Sequence, residues 1–480
     1  MNHADETVIC GVVEQFKNMC RHHHPSWGEG PLADYVEALL TKRGLCVIRD
    51  RWNNLMADLP ATPGREGAPM VVLQGHLDMV CAVRPGSDYD PAVSPVTCVV
   101  EDGVLRSDGN SSLGADNNLG NAAVLWLLGQ EVEHGPVRLL FTVAEEVGLE
   151  GAAKVNPEWL EGCHYLINTD GFSLGKAIIS SAGGLRERFY IPVQRTSRSK
   201  ETVCCVNFNQ FPGGHSGYDI HRGRTNPILA SAQFLRDLGM QVGYELLDWS
   251  GGHSFNAIPV DCSVLLAVDK EEYPAVEKKV WELSATIADG EITIQRVEKE
   301  REQAWTREFR DHVLSAVCNL SVGVYVWRNE GKQEVSASAN LGRVSAGQDA
   351  LEVDCFIRAA RDDDRNVVNA QHVEVMTGFE LQCNGYPGWP EREENPLVDA
   401  MQKVWKRLTG QEMEVTAVHV GLEPSVLGAK NPGMCMVNTG PEILDAHSLD
   451  ERAPLVGLPL YVRLLAGTLD ELSRQKNPVE

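Results

Sequence analysis

Val71-Val72-Leu73-Gln74-Gly75-His76-Leu77-Asp78-Met79-Val80 is the stretch that most restricts what this chain can become. Its apolar start reads as a buried strand. The run halts at Gly75 and then presents an imidazole and a carboxylate. Side chains two apart on a strand share a face, so His76 and Asp78 point the same way. A neutral imidazole is a good transition-metal ligand, and a carboxylate on its second nitrogen fixes the tautomer. A core histidine beside an acid would look the same from this stretch alone.

The pattern recurs. Residues 137–143 form a second continuous apolar run, closed by Ala144-Glu145-Glu146. Two adjacent carboxylates at a strand end repel unless a cation or a shared proton intervenes. Residues 165–168 form a third run, closed by Thr169-Asp170. In an open α/β sheet, sites form at the carboxyl edge of the strands. Between the first two runs, residues 107–120 lead into a helix predicted over 121–128. Asp116 then sits just ahead of a helix N-terminus, where exposed N–H groups favour a carboxylate. It reads as a cap or as a ligand.

Strands and helices alternate over residues 1–184, and that texture returns after residue 386. The 480 residues exceed one ordinary core. The expected fold is α/β: a doubly wound catalytic domain with a mixed, mainly parallel sheet (1–184 and 386–480). An α+β domain over 185–385 interrupts it, with Gly-rich loops around His215 and Asn256. Residues 315–326 and 351–360 read as helix or strand equally well.

The formal net charge of -24 argues against a nucleic-acid partner. The 13 cysteines contain no C-x-x-C pair, which suits reduced thiols and a cytoplasmic location. No stretch approaches the roughly 20 apolar residues of a membrane span, so no membrane association is expected. His22-His23-His24 lies on a turn marked by Pro25 and Gly28. Adjacent loop residues point apart, so no metal site is expected there.

The ligand candidates are therefore His76, Asp116, Glu146, Asp170 and, from the tail, His447. Oxygen and imidazole donors without thiolates suit zinc, manganese or cobalt. Five ligands exceed one tetrahedral zinc, and Asp116 could bridge two ions. Two such ions can hold a hydroxide between them and polarise a carbonyl. Glu145 is left over as the general base.

These residues resemble the aminoacyl-histidine dipeptidases, carnosinase-like co-catalytic zinc exopeptidases. The matching segments run in order along almost the whole chain: His24-Pro25-Ser26, Gln74-Gly75-His76-Leu77-Asp78, Leu113-Gly114-Ala115-Asp116-Asn117, Glu145-Glu146, Asn168-Thr169-Asp170, Gly213-Gly214-His215-Ser216-Gly217, Asn256-Ala257-Ile258-Pro259, Tyr386-Pro387-Gly388-Trp389, His419-Val420-Gly421-Leu422-Glu423 and Gly440-Pro441 with His447-Ser448. The resemblance implies His76 and Asp170 on one ion, Glu146 and His447 on the other, and Asp116 shared. It implies Asp78 as the group orienting His76, Glu145 as base, and a cis peptide after Asp116. It assigns the inserted domain to a lid that carries homodimer contacts, and His215 to the oxyanion of the tetrahedral intermediate. Asn256, Arg358 and Glu423 fall to substrate binding, Arg358 gripping a terminal carboxylate.

The implied activity is hydrolysis of unblocked dipeptides, Xaa-His or β-alanyl-His in type. The alternatives are a deacylase, amidohydrolase or carboxypeptidase of the same clan, or a non-catalytic metal- or peptide-binding protein. The chain departs from the family pattern at Asn117-Asn118, where Asn-Gly is usual, at Gly171-Phe172-Ser173-Leu174, which lacks an acidic run, and at Pro424-Ser425, where Cys-Gly is usual.

Overall fold

A computed structural model describes residues 3–298, 302–329, 331 and 334–476. The chain divides into two compact units, Met1–Ser181 with Trp389–Glu480, and Ala182–Gly388. Ser181 and Trp389 exchange two backbone hydrogen bonds of 3.0 Å where the chain leaves and re-enters the first unit. The crossings thus fall a few residues outside the expected 184/185 and 385/386.

The first unit is built on an eight-stranded mixed sheet. Four strands at its centre run parallel: Val137–Thr142, Met70–His76, Cys163–Asn168 and Cys435–Asn438. Leu55–Leu59 pairs antiparallel on one side, and Lys176–Ser181 touches Cys435–Asn438 antiparallel on the other. Val71 and Leu73 join a core with the helices His3–Cys20, Gly30–Lys42, Ala115–Leu127, Pro396–Thr409 and Leu458–Ser473. Gln74, of opposite parity, faces the other way and donates to Glu423 at the start of the helix Glu423–Lys430. Helices therefore cover both faces, and the strands read as continuous apolar runs because neither face meets water. The α/β expectation for this unit holds.

Parallel neighbours release their carboxyl ends at one edge. That is why residues far apart in sequence, 76, 146, 170 and 447, arrive together. Sequence reasoning missed the strand Lys176–Ser181 and the helix Glu423–Lys430, both short and flanked by ordinary loop residues. It also started the third helix too late. Ala115 opens that helix, with Asp116 inside its first turn at a non-helical ψ of 108°.

Strand and helix meet through a plug of asparagines. Asn117 Oδ1 accepts from His76 N at 3.1 Å, Asn118 Nδ2 donates to Leu77 O at 3.0 Å, and Asn121 Nδ2 donates to His76 O at 2.6 Å. A Cβ at Gly75 would lie 2.1 Å from Asn117 Oδ1, so only glycine lets the helix start approach the strand end. The second asparagine, a departure from the family pattern, therefore has a use here. Asn118→Ala should cost about 1–3 kcal/mol, because Leu77 O is left buried without a donor. An unchanged urea midpoint would contradict this.

The second unit carries a nine-stranded sheet, ordered Glu291–Arg296, Thr202–Asn209, Cys262–Val268, Tyr244–Gly251, Val335–Ala346, Ala350–Ala359, Gly183–Pro192 and Glu380–Tyr386, with Gly323–Trp327 added to Val335–Ala346. Among the described residues all its strand pairings are antiparallel. The helices Pro227–Leu238, Tyr273–Ser284 and Arg307–Cys318 share its main core. Asn226 and Thr306 cap two of them by accepting from the first-turn N–H groups. The ambiguous residues 315–326 resolve into the end of a helix at Cys318 and the strand Gly323–Trp327, and 351–360 into the strand Ala350–Ala359. Among the described residues no helix is long and apolar enough to cross a membrane.

Candidate metal centre

The five candidate ligands converge at the carboxyl edge of the first unit. His76 Nε2 lies 3.2 Å from Asp116 Oδ1 and 3.4 Å from Asp170 Oδ1. His447 Nε2 lies 2.8 Å from Asp116 Oδ2 and 3.0 Å from Glu146 Oε1. The two oxygens of Asp116 thus face two different imidazoles. His76, Asp116 and Asp170 are buried, while His447 keeps one flank open.

Among the described residues no lysine or arginine pairs with the carboxylates of Asp116, Glu146 or Asp170. Glu146 Oε1 and Asp170 Oδ1 are buried yet make no hydrogen bond, despite their nearness to imidazole nitrogen. The nearby carboxylates of Asp116 and Glu146, 2.8 and 3.0 Å from Nε2, push the His447 imidazole up to about 11. The site demands positive charge. Ligands about 2.0–2.2 Å from a tetrahedral ion stand about 3.3–3.6 Å apart, near the 3.2 and 3.4 Å separations around His76. Donor chemistry, orphaned oxygens and spacing all fit divalent ions. A group in the second unit shows the contrast. There His372 Nδ1 bonds Glu187 Oε2 at 2.6 Å and Nε2 bonds Ser321 O at 2.9 Å, with Cys355 beside them, so both ring nitrogens are spent.

The surroundings orient the ligands. His76 Nδ1 donates to the main-chain oxygen of Asp78 at 3.0 Å, which leaves Nε2 as the free lone pair. The expected carboxylate partner is a step further away, at 3.4 Å. The Asp78 carboxylate chiefly serves another purpose. It accepts from Glu145 N at 3.0 Å, Glu146 N at 3.2 Å and Ser26 Oγ at 2.8 Å, and so holds the turn that carries both glutamates. Glu29 accepts from Ala144 N at 2.8 Å on the same turn. Ala144 (φ 49°) and His447 (φ 64°) take the left-handed conformation, which costs a non-glycine about 1–2 kcal/mol. Such cost is tolerated where it aims a functional group. The Asp116–Asn117 peptide is cis, as the resemblance implies.

Glu145 is half-buried beside these groups. Burial, then the Asp170, Glu146 and Glu423 carboxylates, holds its carboxyl well above the ordinary carboxylate range, against the pull of His76.

The profile of the peptidase family M20/M25/M40 matches residues 72–471. The chain belongs to this family. It is a metallopeptidase, in keeping with the donor groups just described. The peptidase is 29% identical over 471 residues to the cytosol non-specific dipeptidase of Escherichia coli, covering 95% of the chain and 96% of that relative. The crystal structure of aminoacylhistidine dipeptidase from Vibrio alginolyticus superposes with a TM-score of 0.85 at 28% identity, over 96% of each chain. That of aminopeptidase PepT from Bacillus cereus, 15% identical, covers 97% of this chain and 99% of its own with a TM-score of 0.59, and shares the fold.

The second unit of this peptidase gathers three more expected residues. The two-residue strands Gly214–His215 and Ala257–Ile258 pair, and Ser216 N donates to Asn256 O at 2.9 Å. His215 Nδ1 accepts from Gly217 N at 3.1 Å and Tyr218 N at 3.3 Å, which assigns its hydrogen to Nε2. Burial first, then Arg358, pulls this imidazole down to about 4, so it is neutral at pH 7. Arg358 Nη2 lies 3.4 Å from His215 Nε2, and Arg358 Nε donates to Ser216 Oγ at 3.1 Å. Arg358 is buried and makes no ion pair with a carboxylate among the described residues. Two donors thus converge with no acceptor between them, an arrangement suited to an anionic oxygen. Gly214 has φ 130°, and a Cβ there would lie 2.2 Å from Arg224, so the turn before His215 requires glycine.

Glu423 is the remaining residue expected at the substrate. It is 0% exposed, and its Oε2 accepts from Gln74 Nε2 and Thr142 Oγ1. Oε2 ties a helix start to two strands of the sheet, while Oε1 is buried without a hydrogen-bond partner among the described residues. Sequence reasoning also missed Glu29 and Asn340. The latter donates to Phe255 O and Ala257 O and so grips the loop that carries Asn256. Neither sits in a pattern that marks it as buried.

Proposed function

We propose that this peptidase hydrolyses unblocked dipeptides, Xaa-His and β-alanyl-His among them, in the cytoplasm, using two divalent ions, zinc first and manganese or cobalt as substitutes. The observation that carries the reading is Asp116, whose two oxygens each face the Nε2 of a different histidine. His76 and Asp170 would hold one ion, Glu146 and His447 the other, and Asp116 both. When bound, such a pair supplies Lewis acidity to the scissile carbonyl and makes water a nucleophile at neutral pH.

The protein's own groups do the rest. Glu145 takes the proton from the attacking water and returns it to the leaving amine, so one water is consumed and two amino acids leave. Asp78 keeps Glu145 and Glu146 in place through their backbone N–H groups. His215, through Nε2–H, donates to the oxygen that gains charge in the tetrahedral intermediate, and Arg358 with Asn256 receives the terminal carboxylate. The neutral Nε2–H tautomer, and a guanidinium that meets no carboxylate among the described residues, support these two roles. The resemblance further implies a homodimer through the second unit.

The substrate class is supported by the names of the two full-length relatives, one a non-specific dipeptidase and one an aminoacylhistidine dipeptidase. The test is a panel of free, N-acetylated and C-amidated dipeptides, with and without chelator. Cleavage of the free forms alone, abolished by chelation, is the expected result. Preference for N-acetylated substrates would replace the reading by a deacylase.

A further inference from the structure

Glu451 lies four residues beyond His447 and is matched by none of the motifs above. Its carboxylate is 3% exposed and meets four consecutive backbone N–H groups. Oε2 accepts from Leu113 and Gly114, both at 2.9 Å; Oε1 accepts from Ala115 at 2.8 Å and Asp116 at 3.2 Å. These groups open the helix Ala115–Leu127, whose N-cap residue, Gly114, has no side chain to offer. A buried carboxylate is tolerated when donors saturate it. Here every one of these donors is main chain, so what Glu451 holds is the path of residues 113–116.

Asp116 is the last of the four. The segment His447–Glu451 therefore touches it twice: the His447 imidazole meets Oδ2 at 2.8 Å and Glu451 Oε1 meets N at 3.2 Å. The segment is itself held. Leu444 and Arg452 exchange backbone hydrogen bonds of 2.9 and 3.0 Å across its base, and Glu451 N donates to Ser448 O at 3.3 Å. One short loop thus delivers an imidazole to the shared carboxylate and an anchor to the peptide that carries it.

We propose that Glu451 is a positioning residue for Asp116, setting where the shared carboxylate stands relative to His76 and His447. The inference rests on the two-ion reading above. Glutamine cannot substitute: its oxygen serves one pair of N–H groups, while its NH2 faces the other pair donor to donor. The effect passes through Asp116, so both ions should bind more weakly.

The test uses the full chain, wild type and Glu451→Gln, stripped of metal and titrated with Mn2+ by calorimetry alongside hydrolysis of a free dipeptide. The variant should bind the ions about 10–100-fold more weakly, the range for groups that orient ligands. At limiting metal, kcat should fall by a similar factor with KM unchanged, and saturating Mn2+ should restore most of it. A group that merely stabilised the fold would lower the melting temperature of the metal-free protein and leave the affinity of the folded chain for Mn2+ unchanged. A wild type that takes up fewer than two ions removes the two-ion reading and the proposal together. A wild type that takes up two, with the variant equal to it in affinity and kcat, removes the proposal alone. Should Glu451→Gln fail to fold, Glu451→Asp keeps the charge and withdraws the oxygens by one methylene. Weakened uptake with metal rescue in that variant supports the proposal; loss without rescue overturns it.

Discussion

Glu145→Gln is expected to lower kcat by about 10²–10⁴-fold while both ions remain bound. That loss corresponds to about 3–5 kcal/mol of transition-state stabilisation. Glutamine keeps the shape of the side chain and removes its ability to accept a proton as a base. The turn would persist, because Asp78 grips the backbone N–H groups of residues 145 and 146 rather than their side chains. Metal content and turnover are measured on the same preparation. Unchanged turnover would remove Glu145 as base. Loss of turnover together with loss of one ion would make it a ligand.

Asp116→Asn should have the larger effect on metal. The substitution leaves one carbonyl oxygen where two charged oxygens face two imidazoles. Both ions should bind more than about 100-fold more weakly, beyond the range for groups that only orient ligands, and hydrolysis should disappear with them. The metal-free variant should melt below the metal-free parent, since the buried but charged Asp116 carboxylate accepts from both imidazoles and is held well below the ordinary carboxylate range by them. Metal titration and calorimetric melting check both statements. A variant that takes up two ions with parental affinity would show that Asp116 is not shared.

The substituted positions differ in how they could be found. Glu145 and Glu146 stand out in the chain because a paired carboxylate closes an apolar run, and His76 because it closes another. Glu451 and Glu29 stand in ordinary loop sequence. Their burial comes from the arrival of residues 113–116 and of Ala144, which no local pattern announces. Glu423 shows the same dependence on tertiary neighbours. It sits in a motif shared with the family, yet its neighbours Gln74 and Thr142 draw it into the sheet. Asp78 lies between the two cases. Its nearness to His76 was legible from strand periodicity, but the bonds to Glu145 and Glu146 required the 70–76 and 137–142 strands to lie side by side.

The amino-acid order alone determined the α/β class, the strands that end in donors, and the identity of the five candidate ligands. These are local matters: periodicity, residue chemistry and the position at which an apolar run stops. Tertiary structure decided which imidazole faces which carboxylate oxygen, that the Asp78 main-chain oxygen joins its side chain beside His76 Nδ1, and that Glu451 reaches residues more than three hundred positions away. Such pairings depend on which strands become parallel neighbours and on the turns beyond them. Long-range backbone hydrogen bonds set both, and short windows of sequence do not encode them.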